Sequence, residues 1–408
     1  MRGTRFQVLV GVLVAAATAL GLPGAARAAT VGTPRPISLS FPTAQVGYVL
    51  SLADCAGHTC VTLEHTRDGG ARWTGVPVPG GLARSVARAS WGFYGGADGY
   101  VTLSVHFADA RDGWIYGAVP ASATSTSYVN RLWSTHTGGA SWTGIPLGPL
   151  RIGWGVVTMA THGAWTYLYG GSSGPQASIL ATVSSQDRWR SRARAPLVLE
   201  MPAGGTPLQG FFTFAGRRGW FVGGNDRGMG FARLGAHGIW VPWPVASLAM
   251  RSAGLRPVVA TSPDALVVVA SSAGFGYPPA SAVPRGWNSG STWLFASRDG
   301  GRTFVAQREL SASYHLVFPA VPGLPATPAA GVLLVERQTS GGVSQLVRST
   351  DGGATWHVVV RHYIRQVELG TRGPGFAIAL IGPATSVDSV LLRTVDAGAH
   401  WTPVVLGG

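Results

Sequence analysis

With 408 residues, only 12% of them charged, and with 59 Gly, 27 Pro and 15 Trp, the composition matches many short strands joined by tight turns around aromatic cores. The formal charge of +14 is carried wholly by arginine, since no lysine occurs. The arginines are dispersed, and no basic run interleaved with aromatics appears, which argues against nucleic-acid binding and for a solvated basic surface.

In chain order, Arg2 and Arg5 precede an apolar run over residues 8–22, then Pro23-Gly24 and the small-residue exit Ala26-Arg27-Ala28. This pattern predicts a secretory signal peptide over 1–28. The run is short for a retained anchor, no second apolar segment reaches spanning length, and no cysteine follows it for lipidation. An exported chain without a stable membrane span is expected, as a monomer. The two cysteines, Cys55 and Cys60 in SLADCAGHTCVTL, read as a disulfide closing a small loop between two strands in an oxidising compartment. Only His58 lies between them, too little for a metal site, and no cofactor is expected.

A repeated turn organises the rest. HTRDGGARW carries Thr66, Asp68, Gly70 and Trp73; STHTGGASW carries Thr135, Gly139 and Trp142, with Thr137 in place of the aspartate. SRDGGRTF carries Ser297, Asp299, Gly301 and Phe304; STDGGATW carries Ser349, Asp351, Gly353 and Trp356; TVDAGAHW carries Thr394, Asp396, Gly398 and Trp401. The gap from 137 to 299 is 162 residues, three steps of 54, so two degenerate copies belong inside it, near Trp189 and Trp240. A second pattern, an apolar strand, a polar turn and then Gly-aromatic, as in FADARDGWIYGA and FTFAGRRGWFVGG, also recurs seven times. Two patterns agreeing on one count predict seven four-stranded units. Because one such sheet cannot bury both faces alone, the expected fold is all-β, a seven-bladed β-propeller of antiparallel blades rather than a pair of sandwiches. A single propeller domain over 29–408 is expected, with blades at roughly 37–80, 81–148, 151–200, 208–247, 256–311, 314–361 and 363–408.

The turn resembles the Asp-box, or bacterial neuraminidase repeat, Ser/Thr-x-Asp-x-Gly-x-Thr-Trp/Phe, which the copy at 349–356 matches throughout. The resemblance implies a hairpin between the third and fourth strands of a blade. A carboxylate there accepts hydrogen bonds from turn amides, glycine permits positive φ, and the aromatic anchors the turn. The paired pattern F-x-D-x-x-x-G-W and S/T-x-D-G-G-x-T-W is most similar to photosystem II assembly factor-like propellers, whose members bind other proteins. That resemblance transfers a fold far better than a function.

Sialidases and xyloglucanases also carry this turn, so a glycoside hydrolase is the alternative. A sialidase is announced by Phe/Tyr-Arg-Ile-Pro; Pro34-Arg35-Pro36-Ile37 scrambles that order. Other glycosidases need two facing carboxylates. Outside the turns these come from Asp54, Asp98, Asp109, Asp112, Asp187, Asp226, Asp264, Asp388 and the five glutamates, Glu64, Glu200, Glu309, Glu336 and Glu368. No G-x-S-x-G, G-x-x-x-x-G-K or H-E-x-x-H occurs.

In a four-stranded meander the Asp turns share one face with the first-to-second turns, and the longer insertions project from the other. There SWGFYGGADGY places Trp91, Phe93, Tyr94 and Tyr100, and GFGYPPASAVPRGWNSGSTW places Tyr277, Arg285, Trp287 and Trp293. Asp226 and Arg227 project to the same side. Aromatics in Gly/Pro-rich loops suit stacking on sugars or protein partners, so the expected function is non-catalytic recognition of an extracellular protein or glycan.

Overall fold

The computed structural model describes residues 34–55, 58–82, 103–120, 128–150, 155–171, 177–191, 209–225, 228–235, 238–243, 258–260, 262–271, 292–309, 333–338, 344–351, 355–362, 364–369, 377–381 and 389–406. Among them are no α-helix and seven antiparallel sheets, each made of consecutive strands. The first sheet takes Arg35–Ser40, Gly47–Cys55, His58–Thr66 and Thr74–Val76, and the second Ser104–Phe107, Gly113–Pro120, Tyr128–Thr135 and Thr143–Gly144. The third takes Gly155–His162, Trp165–Gly171, Ala177–Val183 and Arg190–Ser191, and the fourth Gln209–Ala215, Arg218–Asn225, Gly228–Leu234 and Trp240–Pro242. The fifth takes Val258–Ala260, Leu266–Ser271, Thr292–Ser297 and Val305–Glu309. The sixth holds Leu333–Gln338, Ser344–Ser349 and His357–Val360, and the seventh Ile364–Leu369, Ala377–Ile381, Val390–Thr394 and Thr402–Val404. Four strands are expected of every unit; the sixth shows three among the described residues, and 310–332 lie outside them. Residues 1–33 lie outside as well.

Inner strands are apolar where both faces of a sheet are covered. Gly47–Cys55 is buried over seven successive residues, whereas the fourth strand Thr74–Val76 is mostly exposed. Sheets pack in chain order. Leu50 and Leu63 of the first meet Phe107 and Ile115 of the second; Trp114 and Leu132 of the second meet Leu168 and Trp189 of the third. Tyr167 and Ile179 of the third meet Phe221 and Trp240 of the fourth, and Trp220 and Phe231 of the fourth meet Leu266 and Phe295 of the fifth. Leu294 of the fifth touches Val347 of the sixth, whose Arg348 Nε donates to Ala397 O of the seventh at 2.8 Å. Leu391 of the seventh closes on Leu39, Phe41 and Val49 of the first.

The recurring Phe and Gly of the second pattern have a direct steric cause. The aromatic ending the first strand lies flat over the glycine opening the second, leaving no room for a side chain. A Cβ on Gly47 would sit 2.2 Å from the Phe41 ring, on Gly113 2.4 Å from Phe107, and on Gly219 2.7 Å from Phe214. The first strands have one unpaired edge, and their amides still need acceptors. Buried hydroxyls of the preceding sheet supply them: Val105 N donates to Ser38 Oγ (3.1 Å), Phe107 N to Ser40 Oγ (2.9 Å) and Ala260 N to Thr213 Oγ1 (3.1 Å).

Candidate functional site

The four turn aspartates are held alike. Thr66 Oγ1 donates to Asp68 Oδ1 (2.8 Å), Ser297 Oγ to Asp299 (2.7 Å), Ser349 Oγ to Asp351 (2.8 Å) and Thr394 Oγ1 to Asp396 (2.7 Å). Each carboxylate then accepts from an amide four residues on, those of Arg72, Thr303, Thr355 and His400, at 2.8–3.0 Å. The chain reverses through two consecutive left-handed residues, Gly69 (φ 67°) and Gly70 (φ 86°) in the first copy, with Ala397 (φ 57°) and Gly398 (φ 79°) in the last. These donors favour the ionised form. The Arg72 amide, and then the Thr66 hydroxyl, hold Asp68 below the usual carboxylate range; the His400 amide and ring do so for Asp396. For Asp299, burial pushes upward but the Thr303 hydroxyl and amide outweigh it. In the second sheet Thr137 Oγ1 accepts the Ser141 amide at 2.9 Å, so a hydroxyl substitutes for the carboxylate. The aromatics complete the turns: Trp73 Nε1 donates to Gly70 O and Trp401 Nε1 to Gly398 O, both at 3.2 Å. Trp142 Nε1 donates instead to Pro77 O of the first sheet, Phe304 is buried, and Gly353 lies outside the described residues.

A ligand needs groups that these turns do not already use, and Asp351 is used fully. Asp351→Asn should lower the melting temperature measurably while leaving any partner's dissociation constant unchanged. Circular-dichroism melts alongside a binding isotherm check it, and binding lost at constant melting temperature would contradict the structural role.

The same face carries a polar joint between the second and third sheets. His136 Nδ1 lies 2.8 Å from Asp112 Oδ1, and its Nε2 lies 3.2 Å from Asp187 Oδ2, which also accepts from Ser134 Oγ at 2.6 Å. An ionised carboxylate only accepts, so the protonated ring, which donates from both nitrogens, is the form that satisfies both contacts. Burial pulls the His136 pKa down, but the bonds from Asp112 and Asp187 outweigh it and the net shift is upward. Asp109 caps its own turn by accepting the Arg111 and Asp112 amides, and Asp264 pairs with Arg218. The position before Thr137 gave no hint of this joint, because its partners come from a different turn and a different sheet.

On the opposite face, Cys55 and Cys60 form the disulfide, across the end of the hairpin made by Gly47–Cys55 and His58–Thr66. Beside it Arg35 Nη2 donates to Asp54 Oδ1 at 3.2 Å. Of the expected ligand residues, Trp91, Phe93, Tyr94, Tyr100, Tyr277, Arg285 and Trp287 lie outside the described residues. So do Asp226 and Arg227, between the strands ending at Asn225 and starting at Gly228. Trp293 corrects the loop expectation. It sits within the strand Thr292–Ser297, opposite Ala270 and Glu309, and packs half-buried against the cluster containing Phe295 and Trp243. Glu64, one of the carboxylates a glycosidase pair could draw on, is a buried residue within the strand His58–Thr66, and burial pushes its carboxyl up to about 7. Among the described residues no group of three or more His, Cys, Asp and Glu could hold a metal ion, and no helix is long and apolar enough to cross a membrane.

No family model and no curated protein matches the chain. Solved structures do. The chain is similar to YCF48 bound to a D1 peptide, at 17% identity over 90% of this chain and 94% of that one, with a TM-score of 0.50. It is similar to the BP39L lectin from Burkholderia pseudomallei, at 12% identity over 92% and 100%, with a TM-score of 0.51. The fold is a β-propeller. A puromycin-hydrolysing peptidase from Mycobacterium tuberculosis also matches, at 14% identity and a TM-score of 0.50, but this propeller spans only 54% of that chain. The similar propellers thus include binding proteins and an enzyme, and the fold alone does not choose between them.

Proposed function

We propose that this protein is an exported, seven-bladed propeller of the Asp-box class that binds an extracellular protein or glycan and catalyses no reaction. The observation carrying this reading is how the acids are used. Each aspartate among the described residues closes a turn, joins two sheets or pairs with an arginine: Asp68, Asp299, Asp351 and Asp396 in Ser/Thr turns, Asp109 in its own turn, Asp112 and Asp187 on His136, Asp264 on Arg218, and Asp54 on Arg35. A glycosidase instead spends a carboxylate pair on substrate. The turn face is thus committed to holding sheets together, and recognition falls to the opposite face, with Trp91, Tyr94 and Trp287 as the aromatic anchors that the sequence leads one to expect. A lectin and a peptide-bound protein among the similar propellers fit this reading.

The test is a glycan array and a pull-down with purified protein, comparing the natural chain with a W91A/Y94A/W287A variant. Binding is expected to weaken by about tenfold or more, since aromatic anchors each contribute about 1–2 kcal/mol or more. Turnover of fluorogenic sialosides or of plant or bacterial polysaccharides would replace this reading by the hydrolase one.

A further inference from the structure

The joint between the first and seventh sheets differs from the others in what it must do, because it joins sheets that are not neighbours in the chain. Every sheet is made of consecutive strands, so among the described residues no strand from one end hydrogen-bonds into the sheet at the other. Closure rests on side chains: Leu39, Phe41, Val49 and Trp73 of the first sheet against Leu391, with Val404 and Leu406 beside it.

The same face of the first sheet continues into polar residues. Ser51 and Thr62 are cross-strand partners, and Glu64 lies two residues beyond Thr62, opposite Val49 of the closing cluster. Glu64 is 6% exposed. Its place, two residues before the hydroxyl that opens the turn, is apolar elsewhere: Trp133, Phe295, Val347 and Leu392 occupy it before Thr135, Ser297, Ser349 and Thr394. Glu64 Oε2, Ser51 Oγ and Thr62 Oγ1 are buried without hydrogen-bond partners among the described residues. A buried polar atom left unpaired calls for an explanation, and a buried charge is far costlier than a buried neutral acid.

Among the described residues no ion pair offsets that cost. On its own sheet, His65 faces the second sheet, stacked on Tyr48 with ring centroids 5.2 Å apart, and Arg67 Nε donates to it. Asp68 is held in its turn by Thr66 and Arg72. On the seventh sheet, Arg393 shares a strand face with Leu391, while Asp396 is held by Thr394 and His400. Arg365 and Glu368 stand on that sheet's first strand, with side chains outside the described set. Burial dominates the Glu64 carboxyl, and Ser51 lies close enough to oppose it slightly without reaching hydrogen-bonding geometry.

We propose that Glu64 is a proton-operated latch at this joint: with its carboxyl neutral the first and seventh sheets stay packed, and once it ionises the ring loosens there while the other joints hold. The sign follows from linkage. The closed joint binds the proton more tightly than the open one, so its advantage is complete below the ordinary carboxylate range and is lost as pH rises through about 7.

Hydrogen–deuterium exchange on the full chain at pH 5.5 and 8.5, corrected for the chemical exchange rate, tests this. Protection of Arg35–Ser40 and Val390–Thr394 should fall roughly 30-fold more than that of Gln209–Ala215 in the fourth sheet, as expected for a carboxyl moving between about 7 and 4.5. E64Q should abolish the difference, and E64L, which restores the apolar residue of the other sheets, should do so even if the glutamine variant folds poorly. An equal loss in all sheets, or a seam-local loss that persists in E64Q or E64L, would overturn the proposal. H136N, measured in parallel, identifies any pH response that belongs to the second and third sheets instead.

Discussion

Replacing Trp240 with alanine should destabilise the protein by about 3–5 kcal/mol, the range for deleting a large buried aromatic. Trp240 is fully buried at the start of a fourth strand, in a copy that has lost the Ser/Thr-x-Asp turn. Its ring meets Tyr167 edge-on at 5.4 Å and Phe212 at 5.5 Å, with Phe214 and Phe221 at 6.1 and 6.5 Å. Those rings come from both the third and the fourth sheets, so the cavity would open at a joint that little backbone could collapse to fill. The Trp240 Nε1 has no partner among the described residues. Trp240→Phe should therefore cost far less, since it removes a buried unsatisfied donor and keeps most of the packing. Urea midpoints for the two variants check this, and comparable losses would show that the indole edge, not ring volume, holds the joint.

The second large effect is expected at Gly301. Its φ of 85° lies in the left-handed region, and a Cβ there would sit 2.0 Å from Trp243 Cζ2. Trp243 is itself 4% exposed, and its ring is packed against Phe231 and Phe304 with centroids 5.8 and 6.0 Å away, so it cannot swing away cheaply. Gly301→Ala should cost about 2–4 kcal/mol, combining about 1 kcal/mol of backbone strain with about 1–3 kcal/mol of overpacking. Gly75→Ala is the control, because nothing lies within 4 Å of the position its Cβ would take. A melt in which both variants match the natural protein would remove the packing explanation for the second turn glycine.

The turns were legible in the sequence because their chemistry is local. Ser297, Asp299 and Thr303 lie within seven residues, and every bond they make in the turn stays inside that span. Trp189 and Trp240 were legible for a related reason: where the polar cap has been lost, the aromatic still packs in a core between two sheets. Trp293 was misplaced because a Gly/Pro-rich stretch precedes it, and no local signal shows where that stretch gives way to the strand Thr292–Ser297.

What the sequence by itself determined is local: the turn in which Asp68, Asp299, Asp351 and Asp396 each accept from a Ser or Thr hydroxyl, and the glycines that Phe41, Phe107 and Phe214 leave no room to replace. These depend on residues a few positions apart. Only the tertiary structure decided how neighbouring units are joined. The hydroxyls of Ser38, Ser40 and Thr213 on amides of the next sheet, His136 between Asp112 and Asp187, and Leu391 on Leu39 and Val49 each depend on partners in another sheet. Such contacts leave no period in the chain, because a side chain that reaches across a joint meets whatever residue packing brings there.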